Sequence, residues 1–404
     1  MTEIVSSGSS NPVVFDPTSA DYIADPYATL RLIREASPLH RSKMGWLVTR
    51  YEQVAAVLRD WRVWGSPFPP EHRRALYGPG PMFEYASRRM NSYDPPEHTR
   101  LRSLVTKAFT ARRVEALRPN IQTIADALLN AVEGAREFDL IETLAHPLPC
   151  QVICEMIGVP SSDSPQLSNW TGAIQSALGP MVRPEHIPVA NEAASAFMAY
   201  IRALVTKRRA TPGDDLLTAL IATEEEGQRL TEEELVATVL FMFTAGHSTT
   251  RDLVGSGVVA LMNNRDQWQR LVSDPSIVPG AVEECLRYAP SITLFGRRAL
   301  QDTQLADMPI SAGEAVFVSI AAANRDPRRF ANPDLFDIGR DDNEHLTFGG
   351  GIHYCLGATL ARAEARVIFT TLAHRYPNMR LSEQIIEWRD FVSFRGPRAV
   401  RIAV

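Results

Sequence analysis

The sequence is poor in cysteine, in long apolar runs and in charge of one sign, and each shortage excludes a class of protein. Four cysteines in 404 residues are too few and too scattered for a secreted disulfide framework, and they fit a reducing cytoplasm. No stretch approaches the roughly 18 continuous apolar residues of a membrane span, and residues 1–14 lack the layout of a signal peptide. A net charge of −5 is not the basic surplus that suits nucleic acid. We therefore expect a cytoplasmic protein without a membrane or nucleic-acid partner.

Linkers, repeats and low-complexity segments are also missing. At 404 residues the chain is long enough for two or three domains, yet no change of composition marks a boundary. Amphipathic helical patterns dominate, and short strand-like pieces occur at 315–320 and 399–404. We expect a mainly α fold with small β-sheets, forming a single domain over residues 1–404 and acting as a monomer. Residues 1–20 are expected to be a loosely ordered N-terminal segment.

Two segments interrupt the helical pattern. Residues 61–90 are rich in proline, glycine, arginine and aromatics, and they show no periodicity. A loop of this length inside a compact chain is unusual, so it is either a surface excursion or a mobile wall of a binding pocket. The second segment, 178–188, has the composition of a lid between two helices.

One long helix is predicted from Thr231 to about Asn264. Thr231 and Glu234 form the pattern of a capping box, and the residues beyond are almost uncharged. A helix that is apolar all round is buried in a large core. Its middle, residues 245–250, is nevertheless polar. Serine and threonine can bond back to the preceding helical turn, but four consecutive polar residues exceed what that explanation needs.

The strongest chemical signal is Phe348-Gly349-Gly350-Gly351-Ile352-His353-Tyr354-Cys355-Leu356-Gly357. Successive glycines let the backbone turn sharply and approach a flat object closely. Cys355 lies just before a predicted helix, whose free N–H groups favour a thiolate. Such a cysteine could be a nucleophile, a structural thiol or an axial metal ligand. A zinc site is excluded because no second Cys/His pair completes a tetrahedron, and a catalytic Cys–His pair is weakly supported.

This segment resembles the haem-binding signature of the cytochrome P450 family at every fixed position from Phe348 to Gly357. The resemblance extends over the whole chain, and it is nearest to the bacterial members of the family. It implies the P450 fold, with the long buried helix crossing a haem b. It also implies that Cys355 is the axial thiolate ligand of the iron, with Phe348 and Gly349 in the cofactor-binding loop.

Other segments match the family too. Glu284 and Arg287 correspond to its Glu-x-x-Arg motif, and Arg340 is expected to join them in supporting the cysteine loop. The resemblance further implies four partners for the haem propionates: His98, Arg102, Arg297 and His353. Arg298 would take the place of Arg297 if the register slips by one.

The long helix departs from the family pattern at one position. Thr249 occupies the place of the family's threonine, which holds oxygen and water, but Ser248 replaces the usual carboxylate. Serine can relay a proton but does not supply one by titrating near neutral pH. Water could take over the relay, the substrate could supply the missing group, or the reaction could be unusual. His247 is expected to be structural.

The resemblance implies a mostly apolar substrate pocket. Its expected residues are Phe68, Phe83, Leu240, Phe241, Ala245, Ile292, Leu294, Phe295, Phe391 and Phe394.

We expect a monooxygenase of secondary metabolism that activates O2 to hydroxylate or epoxidise a largely apolar small molecule. No flavin or iron–sulfur motif follows the cysteine signature, so a separate ferredoxin or flavodoxin is expected to supply electrons. Basic residues such as Lys107, Arg112, Arg113, Arg362 and Arg366 could steer that partner. Ser248 keeps an atypical activity open (peroxygenase, decarboxylase or radical coupling), and a non-catalytic haem-binding module is a remote alternative.

Overall fold

The computed structural model describes residues 13–66, 69–223 and 227–404. Helices make up most of this part of the chain. Their bounds are α1 (Ala20–Ala24), α2 (Pro26–Ala36), α3 (Tyr51–Arg59), α4 (Pro70–Tyr77), α5 (Pro81–Arg88), α6 (Glu97–Ala108), α7 (Ala111–Ala116), α8 (Arg118–Asn130), α9 (Pro147–Ile157), α10 (Ser164–Ser176), α11 (His186–Ala210), α12 (Leu216–Ala222), α13 (Glu232–Asn263), α14 (Arg265–Ser273), α15 (Val278–Tyr288), α16 (Ile320–Ala323) and α17 (Ala358–Arg375).

The strands are short and form three small sheets. Their bounds are β1 (Leu39–Ser42), β2 (Gly45–Val48), β3 (Trp64–Gly65), β4 (Glu137–Asp139), β5 (Leu294–Ala299), β6 (Thr303–Leu305), β7 (Met308–Ile310), β8 (Ala315–Ser319), β9 (Arg380–Leu381) and β10 (Arg401–Ala403). The largest sheet has the order β1-β2-β8-β5-β3, the second has the order β4-β10-β9, and β6 pairs with β7. The expected mainly α fold with small β-sheets is confirmed.

In the largest sheet, β2 and β8 are parallel although they lie far apart in sequence, with Trp46 opposite Val316. Strand β5 is antiparallel to β8, with Arg297 also opposite Val316. This sheet therefore joins the N-terminal part of the chain to the segment that carries Arg297.

Helix α13 has the bounds that the sequence predicts. Thr231 and Glu234 form a capping box in which each side chain accepts from the other residue's backbone N–H. Most of the following side chains are buried, and at about 1.5 Å per residue the helix runs close to 50 Å. A Cβ at Gly257 would lie 2.8 Å from Phe369 Cζ and 3.1 Å from Cys285 Sγ. Helices α15 and α17 therefore pack directly on the backbone of α13, which places it at the centre of the core.

The segment from residue 61 to 90 differs from the expected loop. It contains the two-residue strand β3 and the helices α4 and α5, each with a proline in its first turn. Met82 and Tyr85 are 0% and 1% exposed and join the main core. Each helix is only eight residues long, too short for its periodicity to stand out between the surrounding prolines and glycines. Phe68 lies outside the described residues.

Two other expectations concern segments next to helices. The predicted lid is the connection between α10 and α11, although α11 already begins at His186. At the N-terminus, residues 1–12 lie outside the described part of the chain, and α1 starts at Ala20 with Ser19 as its cap. Among the described residues, no helix combines the length and the apolarity that crossing a bilayer requires.

Candidate functional site: a cysteine loop facing a cationic cluster and the central helix

The cysteine loop turns sharply because two of its glycines have positive φ. Gly349 has φ +74° and Gly351 has φ +61°, and a Cβ at Gly351 would lie 2.8 Å from the carbonyl oxygen of Leu58. The Cys355 N–H donates to the carbonyl of Phe348 (2.9 Å), which closes the loop before α17 begins. Of the four cysteines, Cys355 is the one that is not buried. Its sulfur is therefore the thiol that can meet a ligand.

The protein surroundings of Cys355 do not by themselves stabilise the ionised, thiolate form of its side chain. Burial raises the pKa of its thiol, while the N–H groups of Gly357 and Ala358 and the charges of Arg102 and Arg362 act in the opposite direction. A bound metal deprotonates a coordinating thiol outright. The loop thus has the properties of a metal-ligand site more than of a free nucleophile.

A buried ion pair lies beneath this loop. Glu284 and Arg287 are both 0% exposed, and Arg287 donates to both carboxylate oxygens at 2.8 Å. Its other donors reach the carbonyls of Asn324, Pro333 and Leu335 at 2.8–3.1 Å. Because every N–H of the guanidinium has a partner, the charge is satisfied without water.

The carboxylate of Glu284 also binds side chains from the segment that precedes the cysteine loop. Arg340 donates to Glu284 at 3.3 Å, as predicted, and the Asn343 side chain does so at 3.0 Å. Further along, Asn324 bonds both the N–H of Leu346 (2.8 Å) and the hydroxyl of Thr347 (2.9 Å). Thr347 and Leu346 lie immediately before Phe348. The network therefore fixes the segment that leads into the cysteine loop.

Helix α13 has one partly exposed face in its otherwise buried middle. Ala245 is exposed, and Phe241, Met242 and Thr249 are partly exposed. Residues 241, 245 and 249 are spaced by four and so share one face. Thr249 Oγ1 donates to the carbonyl of Ala245 at 2.6 Å. This face is apolar apart from one hydroxyl.

Leu240 was predicted to lie on this face, but it is 0% exposed within the core. It is about 140° away from Ala245 around the helix, whereas Met242 is about 60° away. Met242 lies on this face instead, as helical spacing from Thr249 indicates.

Four cationic or hydrogen-bonding side chains gather near the cysteine, as predicted. The rings of His98 and His353 are 4.3 Å apart. Burial and the charges of Arg102 and Arg297 together lower the pKa of His98 to about 4 and that of His353 to about 3. Burial also lowers the pKa of Arg297 to about 10, with Asp94 opposing it. The four side chains of the cluster thus supply hydrogen-bond donors and positive charge, and none of them is a carboxylate.

His98 Nδ1 is a buried atom for which the described part of the chain offers no partner. Buried polar groups are almost always hydrogen-bonded, so this ring nitrogen beside Arg102 and Arg297 leaves a place for a polar partner such as a carboxylate or water. Two carboxylates at the edge of a flat cofactor fit this cluster, and arginine binds carboxylates through charge-assisted bonds.

Comparison with known proteins agrees with this geometry. The chain matches the model of the cytochrome P450 family over residues 79–383. It is 41% identical over 398 residues to cytochrome P450 107B1 of Saccharopolyspora erythraea, covering 95% of each chain. It is 38% identical over 375 residues to the mycinamicin IV hydroxylase/epoxidase of Micromonospora griseorubida, covering 90% of this chain and 92% of that protein.

Among solved structures, it resembles P450BioI in complex with an acyl carrier protein carrying hexadec-9Z-enoic acid. The TM-score is 0.90 and the identity 34%, over 96% of this chain and 100% of the other. A fold of this kind around a cysteine loop defines a haem-thiolate oxygenase. The chain belongs to the cytochrome P450 family.

Members of this family carry haem b with a cysteine as the axial ligand, and the residues described here fit that cofactor. Cys355 would supply the thiolate, and the cluster of His98, Arg102, Arg297 and His353 would receive the propionates. When bound, the haem supplies the redox chemistry that activates O2. The chain is accordingly an oxidoreductase that uses O2, a small-molecule substrate and a redox partner.

The remaining predicted pocket residues are scattered. Ile292 and Phe394 pair through an isolated β-bridge, and both are partly exposed. Leu294 is 2% exposed in a core cluster near the N-terminal helices, so it offers no surface to a pocket. Phe295 points away from Leu294, as neighbours in a strand do, and packs partly on the core around β8.

The structure places Phe83 and Phe391 in two separate cavities. Phe83 lines a cavity of about 500 Å³ with Arg73 and Tyr93. Phe391 lines a polar cavity with Ser248 and Gln175. The position of Phe391 differs from the prediction, because its segment packs beside α13 on the side of Ser248.

A matched pair of arginines tests the propionate cluster. Arg297→Gln removes a donor that would bind a propionate, whereas Arg298→Gln changes the next residue, whose side chain leaves β5 on the opposite face. A hydrogen bond to a charged group contributes about 1.5–3 kcal/mol, so haem should dissociate roughly ten- to a hundredfold faster from Arg297→Gln. Transfer of haem to apomyoglobin measures the rate. A larger effect of Arg298→Gln would show that the two residues exchange roles.

Glu364 on α17 gives a pH-dependent prediction. It is 1% exposed, and burial raises its pKa to about 8, opposed by Thr250. The unfolded chain ionises this group near its ordinary pKa of about 4.3, so the unfolded state loses its proton first as pH rises. Ionisation of Glu364 should therefore lower the free energy of unfolding by a few kcal/mol between about pH 5 and pH 8, opposite in sign to the contribution of the buried histidines. In Glu364→Gln this loss should disappear.

Guanidinium unfolding of the holoenzyme at pH 5.5 and pH 8 measures this difference. Glu133→Gln is the control, because Glu133 is exposed, and it should leave the pH dependence of the wild type unchanged. The same pH dependence in Glu364→Gln as in the wild type would show that Glu364 is not the titrating group.

Proposed function

We propose that this protein inserts one oxygen atom from O2 into a C–H or C=C bond of a largely apolar small molecule, as a step of secondary metabolism. A relative named as a hydroxylase/epoxidase supports this reaction type.

The exposed face of α13 is the observation that carries the proposal. Phe241, Met242 and Ala245 give this face its apolar character, and Thr249 is its hydroxyl. A pocket of this kind favours a ligand that is mostly apolar and is oriented by few polar contacts. In this proposal Thr249 is a catalytic residue that holds a hydrogen bond beside the reacting oxygen.

We propose that the electrons come from a separate ferredoxin or flavodoxin. Lys107 and Arg112 are exposed and remain candidates for docking an acidic partner. Arg362 is a weaker candidate than its sequence position indicates, because it binds Glu283 through two bonds of 2.7 Å. Arg113 also has an acidic neighbour, since its guanidinium lies 3.9 Å from the carboxylate of Asp214.

Turnover under 18O2 tests the proposal. A library of apolar compounds is first screened for displacement of the iron's distal water by the shift of the Soret band. The compounds that bind are then incubated with holoenzyme, a ferredoxin, its reductase and NADPH. We expect a product that carries a single labelled oxygen atom. Binding without any oxygenated product under these conditions would contradict the proposal.

A second candidate is an atypical P450 reaction, such as peroxygenation, decarboxylation or radical coupling. It is supported by Ser248, which stands where the family usually has a carboxylate and is buried against Gln175. The same compounds with hydrogen peroxide alone distinguish the two. Products that form with peroxide, or products without a labelled oxygen, would favour the atypical reaction.

A further inference from the structure

A cleft of about 440 Å³ lies between α2 and the C-terminal half of α13. We call it the α2 cleft. Ser256 and Val259 of α13 form part of its floor, and Tyr27, Tyr288 and Trp388 form part of its walls. Its volume is within the range of about 300–1,000 Å³ that small-molecule pockets have. None of the residues expected for the substrate pocket lines it, so the proposed reaction does not account for it.

Ser256 places a buried hydroxyl on the floor of the α2 cleft. The residue is 2% exposed, and its Oγ has no hydrogen-bond partner in the described part of the chain. Serine and threonine within a helix can bond back to the preceding turn, as Thr249 and Thr250 do in α13, but Ser256 does not. Buried polar groups are almost always hydrogen-bonded. The hydroxyl therefore indicates a polar partner inside the cleft that is not part of the protein.

Two arginines that line the α2 cleft lie flat against aromatic rings. The guanidinium carbon of Arg325 lies 3.4 Å from the ring centre of Tyr27 and 3.8 Å from that of Tyr288. That of Arg395 lies 3.8 Å from the ring centre of Trp388. Stacking covers the face of a planar guanidinium and leaves the N–H groups at its edge for hydrogen bonds.

The protein uses only some of these N–H groups. Arg325 donates through two of them to the carbonyl of Tyr288 (2.8 and 3.3 Å) and through a third to Asp334 (3.3 Å). Arg395 donates to two carbonyls of α1 (2.5 and 2.9 Å). A guanidinium has five N–H donors. Within the described residues, both arginines therefore keep donors for a ligand.

Arginines outnumber acids around the α2 cleft. Arg31, Arg325 and Arg395 line it, against Asp25 and Asp334. Arg31 is exposed, and its side chain has no hydrogen bond or ion pair with any residue that the structure describes. Burial lowers the pKa of Arg395, although the negative charge of Asp25 opposes the shift. Three arginines against two aspartates leave one positive charge unmatched, so the cleft favours an anion.

Ser291 separates the α2 cleft from the face of α13 that carries Thr249. Ser291 is 5% exposed, and its hydroxyl donates to the carbonyl of Thr249 (2.7 Å). Its own carbonyl accepts from the N–H of Arg395 (2.8 Å). Along α13, Ser256 lies seven residues beyond Thr249, which is about 10 Å. A molecule in the cleft is therefore distinct from a substrate beside Thr249.

We propose that the α2 cleft is a binding site for a hydroxylated aromatic carboxylate. The carboxylate binds the unused N–H groups of the arginines, because arginine binds carboxylates through charge-assisted bonds. The flat ring lies on Val259 and Ala260 between the stacked aromatic side chains, and its hydroxyl bonds Ser256 on the floor. This site goes beyond the proposed oxygenation and does not depend on it.

Calorimetric titration of the holoenzyme with 6-hydroxy-2-naphthoate tests the proposal. The holoenzyme is first saturated with 4-phenylimidazole, whose nitrogen binds the haem iron and whose rings fill the space beside Thr249. We then expect one naphthoate to bind per chain, while the haem spectrum stays that of the imidazole complex. Absence of binding, or binding only when 4-phenylimidazole is left out, would overturn the proposal.

Arg31 allows the charge of the cleft to be changed without breaking a contact within the protein. Arg31→Gln should weaken the binding of 6-hydroxy-2-naphthoate about two- to fivefold, the usual contribution of an exposed ion pair. Arg380→Gln is the matched control, because Arg380 is exposed on β9 and does not line the cleft. It should leave the affinity unchanged. Equal weakening by both substitutions would show attraction of the anion to the whole surface and would contradict a site at Arg31.

Ser256→Ala removes a hydroxyl that bonds no described protein group, so the fold should be kept. We expect this variant to bind 6-hydroxy-2-naphthoate about two- to tenfold more weakly, the usual effect of losing one neutral hydrogen bond. The affinity for 2-naphthoate, which lacks the hydroxyl, should not change. An equal change for both ligands would overturn the assignment of Ser256 as the partner of the ligand's hydroxyl.

Ala28 offers a way to block the α2 cleft from its exposed rim. Ala28→Trp should abolish binding because the indole fills the cleft. Ala36→Trp is the control, since Ala36 is exposed at the end of the same helix and does not line the cleft. The spectrum of the reduced carbonyl complex checks that each variant keeps its fold and its haem. Full binding by Ala28→Trp would place the naphthoate elsewhere and reject the proposal.

Discussion

Substitution of Cys355 by serine is expected to abolish the red-shifted Soret band that the reduced carbonyl complex gives in this family. A serine oxygen is a harder and more weakly donating ligand than a thiolate, and the thiolate is what favours cleavage of the O–O bond in P450s. Oxygenation should fall to background at the same time. Difference spectra of reduced protein with and without carbon monoxide measure the first effect, and product formation measures the second.

Cys150→Ser is the matched control. Cys150 is buried on α9, and its thiol donates to the carbonyl of Ser164 at 3.4 Å, a bond that serine can also make. This variant should keep the full spectrum. If Cys355→Ser retained the red-shifted band, a different residue would be the axial ligand and the description of the site would be wrong.

Removal of Arg287 is expected to have the largest effect on stability. Arg287→Met leaves the carboxylate of Glu284 in the core without its main partner, and breaking a buried pair in this way costs about 3–5 kcal/mol. The loss of stability should appear first in the loop before Cys355. Arg287 donates to the carbonyl of Asn324, and the Asn324 side chain bonds Leu346 and Thr347 in that loop. We expect a lower unfolding midpoint and faster loss of haem.

The chain contains its own control for this prediction. Glu115 and Arg118 repeat the same spacing at the surface, joined at 2.7 Å, with side chains 67% and 39% exposed. Arg118→Met should cost only about 0–1 kcal/mol. Equal destabilisation by the two substitutions would contradict the assignment of a supporting role to Glu284 and Arg287. The double variant Glu284→Leu, Arg287→Met should recover part of the loss, because it removes both buried charges.

The sequence predicted the features that are encoded locally. The capping box at Thr231 and the run of apolar residues after it were sufficient to place α13. The glycines around Cys355 and the spacing of Glu284 and Arg287 were sufficient, through the family resemblance, to predict the cysteine loop and its supporting ion pair. Each of these signals lies within a few residues of the chain.

The features that sequence could not predict depend on contacts between distant segments. Gln175 is one glutamine among many until α10 packs against α13 and brings it to Ser248. Leu240 and Met242 are both plausible pocket residues until the rotation of α13 against Cys355 is fixed. Helices α4 and α5 were missed for a different reason, because two short helices bounded by proline and glycine carry too few turns to show a period.

The parallel pairing of β2 with β8 has a consequence for how the protein acquires its cofactor in the cell. Residues 46–48 can pair only after residues 316–318 have been synthesised, and the backbone at Leu58 likewise packs against the much later Gly351. At about 5–20 residues per second of synthesis these partners leave the ribosome tens of seconds apart. We therefore expect the complete cysteine loop and its supports, and with them the site for haem, to form only after nearly the whole polypeptide has been synthesised.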